Sequence, residues 1–127
     1  MKLEHVAIWT KDLEAMRSFF ETYFCAVAGN RYDNPSTGFS SYFLSFDSGS
    51  RLEIMTRSDL AGRPNVDMAV GLAHIAIALG SREAVDSLTA RLEADGCTVA
   101  SRPRTTGDGY YESVVLDGEG NRIELTV

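Results

Sequence analysis

Short segments in which apolar and polar residues alternate recur along the chain, and two stretches with helical spacing lie among them. Such alternation is typical of strands that bury one face. It predicts strands over residues 3–10, 27–33, 40–47, 51–56, 72–79, 98–102, 110–116 and 122–127.

Two helices are predicted, one after the first strand of each series. Their apolar residues at helical spacing are Leu13, Met16, Phe20, Phe24 and Val27, then Val85, Leu88 and Leu92. Asp12 and Ser81 stand where N-caps are expected, and Gly29 and Gly96 stand where the helices are expected to stop. The predicted order is β-α-β-β-β, twice, which is an α+β fold class.

The two halves of this order resemble each other residue by residue. Residues 3–27 match residues 72–96 at a constant offset of 69, and residues 51–54 match residues 122–125 at an offset of 71. Two copies of one module, differing by a small loop change, give such a pattern. A solenoid would show a shorter period and more copies.

The duplication predicts a single domain over residues 1–127 that is assembled from two modules. The modules cover about residues 1–57 and 71–127, and about residues 58–70 form the linker. A chain of this length can form two half-domains that share a core, but it is short for two independent domains.

Charge and composition exclude several classes of function. The net charge is -6 and the 12 Lys and Arg residues are scattered, so nucleic acid is not an expected partner. No apolar run is long enough to span a membrane and no signal-peptide pattern is present, which predicts a cytoplasmic protein. Cys25 and Cys97 lack CxxC spacing and are expected to be buried thiols rather than a disulfide.

Alternation within the strands gives four ionisable side chains the same orientation. In each strand the aliphatic residues share one face and the ionisable residue lies on the other. The four residues are His5, Glu53, His74 and Glu124, and the two histidines are the only ones in the chain. If the aliphatic faces pack on the helices, all four side chains project from the opposite face.

Two imidazoles and two carboxylates are a suitable ligand set for one divalent ion such as Zn, Ni, Co, Mn or Fe. The carboxylates balance the charge of the ion, and an octahedral ion keeps two positions open for water or substrate. Taken singly, each residue is more often solvated or hydrogen-bonded than bound to a metal. Their joint occurrence at equivalent places of two repeats favours the metal site.

The segments that carry these residues resemble the vicinal-oxygen-chelate superfamily, which includes glyoxalase I, fosfomycin-resistance proteins, methylmalonyl-CoA epimerase, extradiol dioxygenases and bleomycin-resistance proteins. The resemblance rests on residues 3–8, 51–54, 71–77 and 117–125 and covers nearly the whole chain. It implies that each module curls into a half-barrel of mixed sheet with the helices on its convex face, and that paired modules enclose the metal.

The four-ligand set is most similar to that of bacterial glyoxalase I, a lactoylglutathione lyase. The resemblance implies proton transfer next to a carbonyl through a metal-bound enediolate, with Glu124 as the base and Glu53 as its partner, or with the roles exchanged. It also implies a small-molecule substrate with vicinal oxygens. Open sheet edges further predict a homodimer, in which the ligands of one site come from one chain or from two.

Two positions depart from glyoxalase I. That enzyme typically has Arg four residues after the first ligand and Asn four residues after the second, and both help to hold glutathione. Trp9 and Arg57 occupy these places here and are the candidate substrate-binding residues. Trp9 lies on the face of His5 and either lines an apolar pocket or belongs to the core or rim, so the use of glutathione is left open.

Other functions are compatible with this fold. An extradiol-type dioxygenase normally uses two His and one Glu around ferrous iron, and the additional Glu53 disfavours it. A binding protein of the bleomycin-resistance type lacks the metal ligands, and the complete set of four disfavours it. A resistance enzyme that opens an antibiotic epoxide usually has three protein ligands.

Overall fold

The computed structural model describes residues 1–47, 49–62 and 70–127. The chain divides into two compact units, Met1–Arg63 and Pro64–Val127. Each unit contains one helix and one mixed sheet, and neither sheet closes into a barrel. The α+β fold class with two mixed sheets is thereby confirmed.

The sheet of the first unit is built around a central strand that is parallel to one neighbour and antiparallel to the other. Its elements are β1 (His5–Trp9), α1 (Leu13–Phe24), β2 (Val27–Ala28), β3 (Tyr32–Asn34), β4 (Phe39–Ser45) and β5 (Arg51–Thr56). β5 runs parallel to β1 and antiparallel to β4, and β4 pairs in turn with β2 and β3.

The core of the first unit lies between α1 and one face of this sheet. The buried stripe of α1 consists of Leu13, Met16, Phe20 and Phe24. The buried apolar residues of the sheet are Ile8, Tyr42, Leu44, Leu52 and Ile54. Phe20 and Ile54 are both 0% exposed, and burying each side chain contributes about 1.5–3 kcal/mol. The other face of the sheet, which α1 does not cover, is called the open face of the first unit.

The strand predicted over residues 27–33 is split into β2 and β3. Between the two strands, residues 29–31 face only residues 42–43 of β4, so this side carries one extra residue. Such an insertion is a β-bulge, which interrupts the ladder and bends the strand. Gly29 donates its N–H to the Phe43 carbonyl at 2.9 Å within this interruption.

The second unit repeats the arrangement, with one strand in the place of the two that the bulge separates in the first unit. Its elements are β6 (Ile75–Ala78), α2 (Arg82–Ala94), β7 (Val99–Thr105), β8 (Tyr111–Leu116) and β9 (Arg122–Thr126). β9 is parallel to β6 and antiparallel to β8, which pairs with β7.

The core of the second unit includes a polar contact between helix and sheet. The buried residues of α2 are Val85, Thr89 and Leu92, and those of the facing sheet are Ser113, Val115, Ile123 and Leu125. The Thr89 hydroxyl lies 2.7 Å from the Ser113 hydroxyl and donates to the Val85 carbonyl at 2.6 Å. Both hydroxyls are therefore satisfied without water.

Both predicted N-caps are confirmed. The Asp12 carboxylate accepts the N–H of Ala15 at 2.9 Å, and the Ser81 hydroxyl accepts the N–H of Ala84 at 3.1 Å. Each contact satisfies one of the N–H groups that the first turn of a helix leaves without a backbone partner.

The predicted end of the first helix is wrong. α1 ends at Phe24, because Cys25 adopts a left-handed conformation with φ of 52°. Val27 consequently belongs to β2 rather than to the helix, and Gly29 plays no part in the helix end. In the second unit, Gly96 follows α2 with φ of 92°, as expected for a helix stop.

Two further expectations concern the cysteines and the linker. Cys25 and Cys97 are free thiols, and neither is fully buried as expected: Cys25 is exposed because it lies at the end of α1, and Cys97 is partly exposed. Within the predicted linker, residues 58–62 form neither helix nor strand, and residues 63–69 lie outside the described residues. Over the described ranges, neither helix has the length and apolar character needed to cross a membrane.

Candidate metal centre

The first His–Glu pair lies on the open face of the first unit. Glu53 of β5 pairs with Ala7 of β1, and His5 lies two residues before Ala7 on the same strand. The three side chains therefore share this face. Nε2 of His5 lies 3.9 Å from Oε2 of Glu53. The Glu53 side chain is only 15% exposed, whereas that of His5 is 39% exposed.

Glu4 fixes the orientation of His5. Nδ1 of His5 lies 2.5 Å from one carboxylate oxygen of Glu4, and the other oxygen accepts a hydrogen bond from Arg51 at 2.8 Å. The contact with His5, followed by that with Arg51, lowers the pKa of Glu4 from its ordinary value. Because a carboxylate only accepts, a neutral His5 carries its proton on Nδ1 and turns the lone pair of Nε2 toward Glu53.

The second pair occupies the equivalent place in the second unit. His74 directly precedes β6, and Glu124 of β9 pairs with Ala76 of β6 on one side and Val114 of β8 on the other. Nε2 of His74 lies 3.3 Å from Oε2 of Glu124. As in the first unit, the carboxylate is 15% exposed and the imidazole is more open, at 43%.

Glu124 has an acidic neighbour that the sequence interpretation missed. Burial raises the pKa of Glu124, and the carboxylate of Glu112 adds to this shift, while His74 opposes it. Glu112 lies on β8, in phase with Val114 and 3.7 Å from the guanidinium of Arg104. Alternation along β8 places the side chains of Glu112 and Ser113 on opposite faces of the sheet. Only the pairing of β8 with β9, however, brings Glu112 near Glu124.

The donor atoms of each pair suit a divalent ion. Two donors that each bind an ion at about 2.1 Å lie about 3 Å apart when they occupy neighbouring coordination positions. The separation in the second unit, 3.3 Å, is close to this value. The separation in the first unit, 3.9 Å, is larger, and a small side-chain rotation would shorten it to this value. A lone pair on nitrogen and a carboxylate are ligands that Zn and the other first-row divalent ions accept.

The structure brings the four predicted ligands together as two pairs, one in each unit. Within the described parts of the chain, no group of three or more His, Cys, Asp or Glu side chains is assembled that could hold a metal ion. Each pair therefore provides half of the predicted ligand set.

Trp9 lies on the same open face as the first pair. It is the last residue of β1, four residues after His5 and therefore on the same face, and it remains 47% exposed. Its ring meets that of Phe39 edge to face at a centroid distance of 6.1 Å. Trp9 is thus excluded from the core and available to a ligand.

Arg57 is held by a neighbouring carboxylate. Its guanidinium forms two hydrogen bonds with Asp59, each 2.9 Å long, and these bonds lower the pKa of Asp59. A guanidinium engaged in this way has its charge balanced within the chain. The structure therefore gives Arg57 a partner other than a bound ligand.

The family is shown by comparison with known sequences. Residues 2–125 match the Glyoxalase/Bleomycin resistance protein/Dioxygenase superfamily. The chain is 32% identical over 125 residues to the uncharacterized protein PA2024 of Pseudomonas aeruginosa, covering 98% of this chain and 86% of that protein. It is 29% identical over 127 residues to the uncharacterized protein YqjT of Bacillus subtilis, covering 97% and 96%.

Solved structures share the fold. Glyoxalase I from Zea mays superimposes with a TM-score of 0.80 at 19% identity over 98% of this chain, which spans only 44% of the maize protein. A glyoxalase family protein from Enterococcus faecalis gives a TM-score of 0.81 at 22% identity, covering 99% of this chain and 97% of that one. Taken with the sequence match, these similarities identify the chain as a member of the Glyoxalase/Bleomycin resistance protein/Dioxygenase superfamily.

Proposed function

We propose that this chain is a metal-dependent enzyme of the vicinal-oxygen-chelate type, which moves a proton next to a carbonyl of a small molecule with vicinal oxygens. One observation carries the proposal. The same His–Glu pair occurs in both units, and in each an imidazole Nε2 faces a largely buried carboxylate, at 3.9 and 3.3 Å.

The proposed cofactor is one divalent ion, Zn, Ni, Co, Mn or Fe, bound by His5, Glu53, His74 and Glu124. The chemistry of the two pairs supports this assignment, since two imidazoles and two carboxylates match the charge of the ion. When bound, such an ion polarises the oxygens of the substrate and stabilises the negative charge that develops as the proton leaves.

The proposal assigns Glu124 as the base and Glu53 as its partner. Both carboxylates lie on sheet faces that the helices leave open, and both are largely shielded from water. A carboxylate in such a place can take a proton from the carbon next to the substrate carbonyl and return it to the neighbouring carbon.

The proposed assembly is a homodimer. Within the described residues, each sheet ends in strands paired along one side only: β1, β2 and β3 in the first unit, β6 and β7 in the second. Unpaired strand edges are commonly covered in an assembly. Sedimentation at micromolar concentration tests this proposal, and a purely monomeric chain contradicts it.

A substrate panel tests the reaction. The Ni, Zn and Mn forms are incubated in deuterated water with methylglyoxal plus glutathione, with other thiols, and with other 2-oxo and 2-hydroxy compounds. Product formation and solvent deuterium in the product are followed by NMR. We expect metal-dependent deuterium incorporation with at least one carbonyl compound.

Matched variants show whether the expected carboxylate moves the proton. Glu124→Gln keeps the shape of the side chain but removes the base, and should lower turnover by about a hundredfold at retained metal content. Glu83→Gln, an exposed first-turn residue of α2, is the control and should leave turnover unchanged. Silence with every carbonyl compound, combined with oxygen uptake on a catechol by the ferrous form, would establish the dioxygenase instead.

A further inference from the structure

Three aromatic side chains form a continuous strip on the open face of the first unit. They are Trp9 of β1, Phe39 of β4 and Tyr32 of β3. The ring centroids of Trp9 and Phe39 lie 6.1 Å apart, and those of Phe39 and Tyr32 lie 6.0 Å apart. Trp9 and Tyr32 are 47% and 56% exposed, so α1 does not cover the strip.

The aromatic strip adjoins the first His–Glu pair. Trp9 pairs with Met55, which lies two residues beyond Glu53 on the same face of β5. Two residues along a strand span about 7 Å, so the row of Ala7 and Glu53 directly adjoins the row of Trp9 and Met55. Ala7 presents only a methyl group between His5 and Trp9. A small molecule that reaches the carboxylate therefore also reaches the strip.

Two arginines of the first unit, Arg51 and Arg57, already have carboxylate partners. Arg51 is paired with Glu4, and its guanidinium lies over the ring of Phe43 at 4.1 Å. Arg57 is bound to Asp59 by two hydrogen bonds. Neither of these two guanidinium groups is therefore free to bind an anion, and the rings of the strip suit a planar apolar group better than a carboxylate tail.

We propose that the aromatic strip binds a planar, aromatic substituent of a substrate whose vicinal oxygens lie toward His5 and Glu53. The inference rests on the proposed function and names its substrate class: aromatic 2-oxo or 2-hydroxy compounds, rather than thiol adducts that carry several carboxylates. Stacking on Trp9 and the contact with Phe39 supply the preference, since offset and edge-to-face ring contacts add to simple burial.

Mandelate and lactate test the inference, because they present the same 2-hydroxy acid and differ in phenyl against methyl. Their dissociation constants for the metal-loaded protein are measured by calorimetry. We expect mandelate to bind about tenfold more tightly. Trp9→Ala should abolish most of this preference while leaving lactate affinity and metal content unchanged, and Trp9→Phe should retain much of it.

Tyr23→Ala is the matched control. Tyr23 is an aromatic residue of α1 that contacts Phe19 and lies outside the strip. Its replacement should leave the mandelate preference intact. Equal affinities of the wild-type protein for mandelate and lactate, or a preference that survives in Trp9→Ala, would overturn the inference.

The two proposals fail in different ways. Stoichiometric metal binding without a mandelate preference overturns the aromatic subsite and leaves the proposed function standing. Absence of metal binding overturns the proposed function. Titration of the metal-free protein with mandelate and lactate still tests whether the strip binds an aromatic ring, because Trp9 is the only tryptophan and its fluorescence reports ring contact. If Trp9→Ala converts a dimer to a monomer in sedimentation, the strip is a subunit interface and the inference is wrong.

Discussion

His5 turns its Nε2 atom toward Glu53 because its other ring nitrogen is held by Glu4, the residue that precedes it. Glu4 is anchored in turn by Arg51, through its side chain and through a 3.0 Å hydrogen bond from the Arg51 N–H to the Glu4 carbonyl. A carboxylate that orients an imidazole in this way also raises its basicity as a ligand.

Glu4→Gln should weaken metal binding without removing a ligand. The variant loses the negative charge beside Nδ1 of His5, and loss of such a partner typically costs about tenfold or more in metal affinity. We therefore expect the dissociation constant for the metal to rise about tenfold. Competition with a chelating dye measures it. Glu93→Gln is the matched control, because Glu93 pairs with Arg102 as Glu4 does with Arg51 but has no imidazole partner. Equal affinities of wild type and Glu4→Gln would show that Glu4 does not support the ligand.

Thr89→Val should destabilise the second unit more than the loss of one hydroxyl suggests. The change leaves the Ser113 hydroxyl buried at 0% exposure without its 2.7 Å partner, which costs about 1–3 kcal/mol of unfolding free energy. The double variant Thr89→Val/Ser113→Ala removes both polar groups and should lie closer to wild type. Urea denaturation measures all three proteins, and a double variant less stable than Thr89→Val contradicts the expectation.

The features that depend on local periodicity could be predicted from the sequence. Alternation alone predicts that His5 and Glu53 lie on the face opposite to that of Ile8 and Ile54. In the structure the two isoleucines are buried, and His5 and Glu53 lie on the open face. The N-cap Asp12 was equally visible, because the signal and the contact lie within one turn of helix.

Features that depend on distant pairing could not be predicted. The split near Gly29 follows from the register of β2 and β3 against β4, which no short window contains. Glu112 was missed for the same reason, since its nearness to Glu124 arises only when β8 pairs with β9. The helix end at Cys25 lacks the usual glycine, and only its left-handed backbone reveals it.

The two cysteines should differ in their reaction with iodoacetamide. Burial, with Asp95 and Asp117 nearby, raises the pKa of Cys97 above the ordinary 9.0, so less of it is thiolate at any given pH, whereas Cys25 is exposed. Peptide mass spectrometry should show Cys25 alkylated first, and the rate at Cys97 should keep rising beyond the ordinary thiol pKa. In urea the difference should vanish. Equal rates in the folded protein contradict the expectation.

Metal stoichiometry should show whether the two His–Glu pairs act as one site. If all four residues bind one ion, wild type holds about one ion per chain, and either His5→Ala or His74→Ala loses most of the affinity. Two independent pairs would instead hold up to two ions, and each single variant would keep one of them. Elemental analysis after dialysis against a weak chelator separates these results, and a stoichiometry of two contradicts the shared site.

Mixing the two histidine variants then shows which chains supply the ligands. Suppose that each site of the proposed homodimer is formed by the first unit of one chain and the second unit of the other. A mixed dimer of His5→Ala and His74→Ala then contains one site with both substitutions and one site with neither. Unfolding the variants together and refolding them should then restore metal to a fraction of the dimers, because the intact site needs no further change. If each chain forms its own site, every site lacks one histidine and mixing restores nothing. Since His5→Ala mixed with itself has no intact site in either arrangement, it is the control, and metal regained by that control would contradict the assignment of His5 as a ligand.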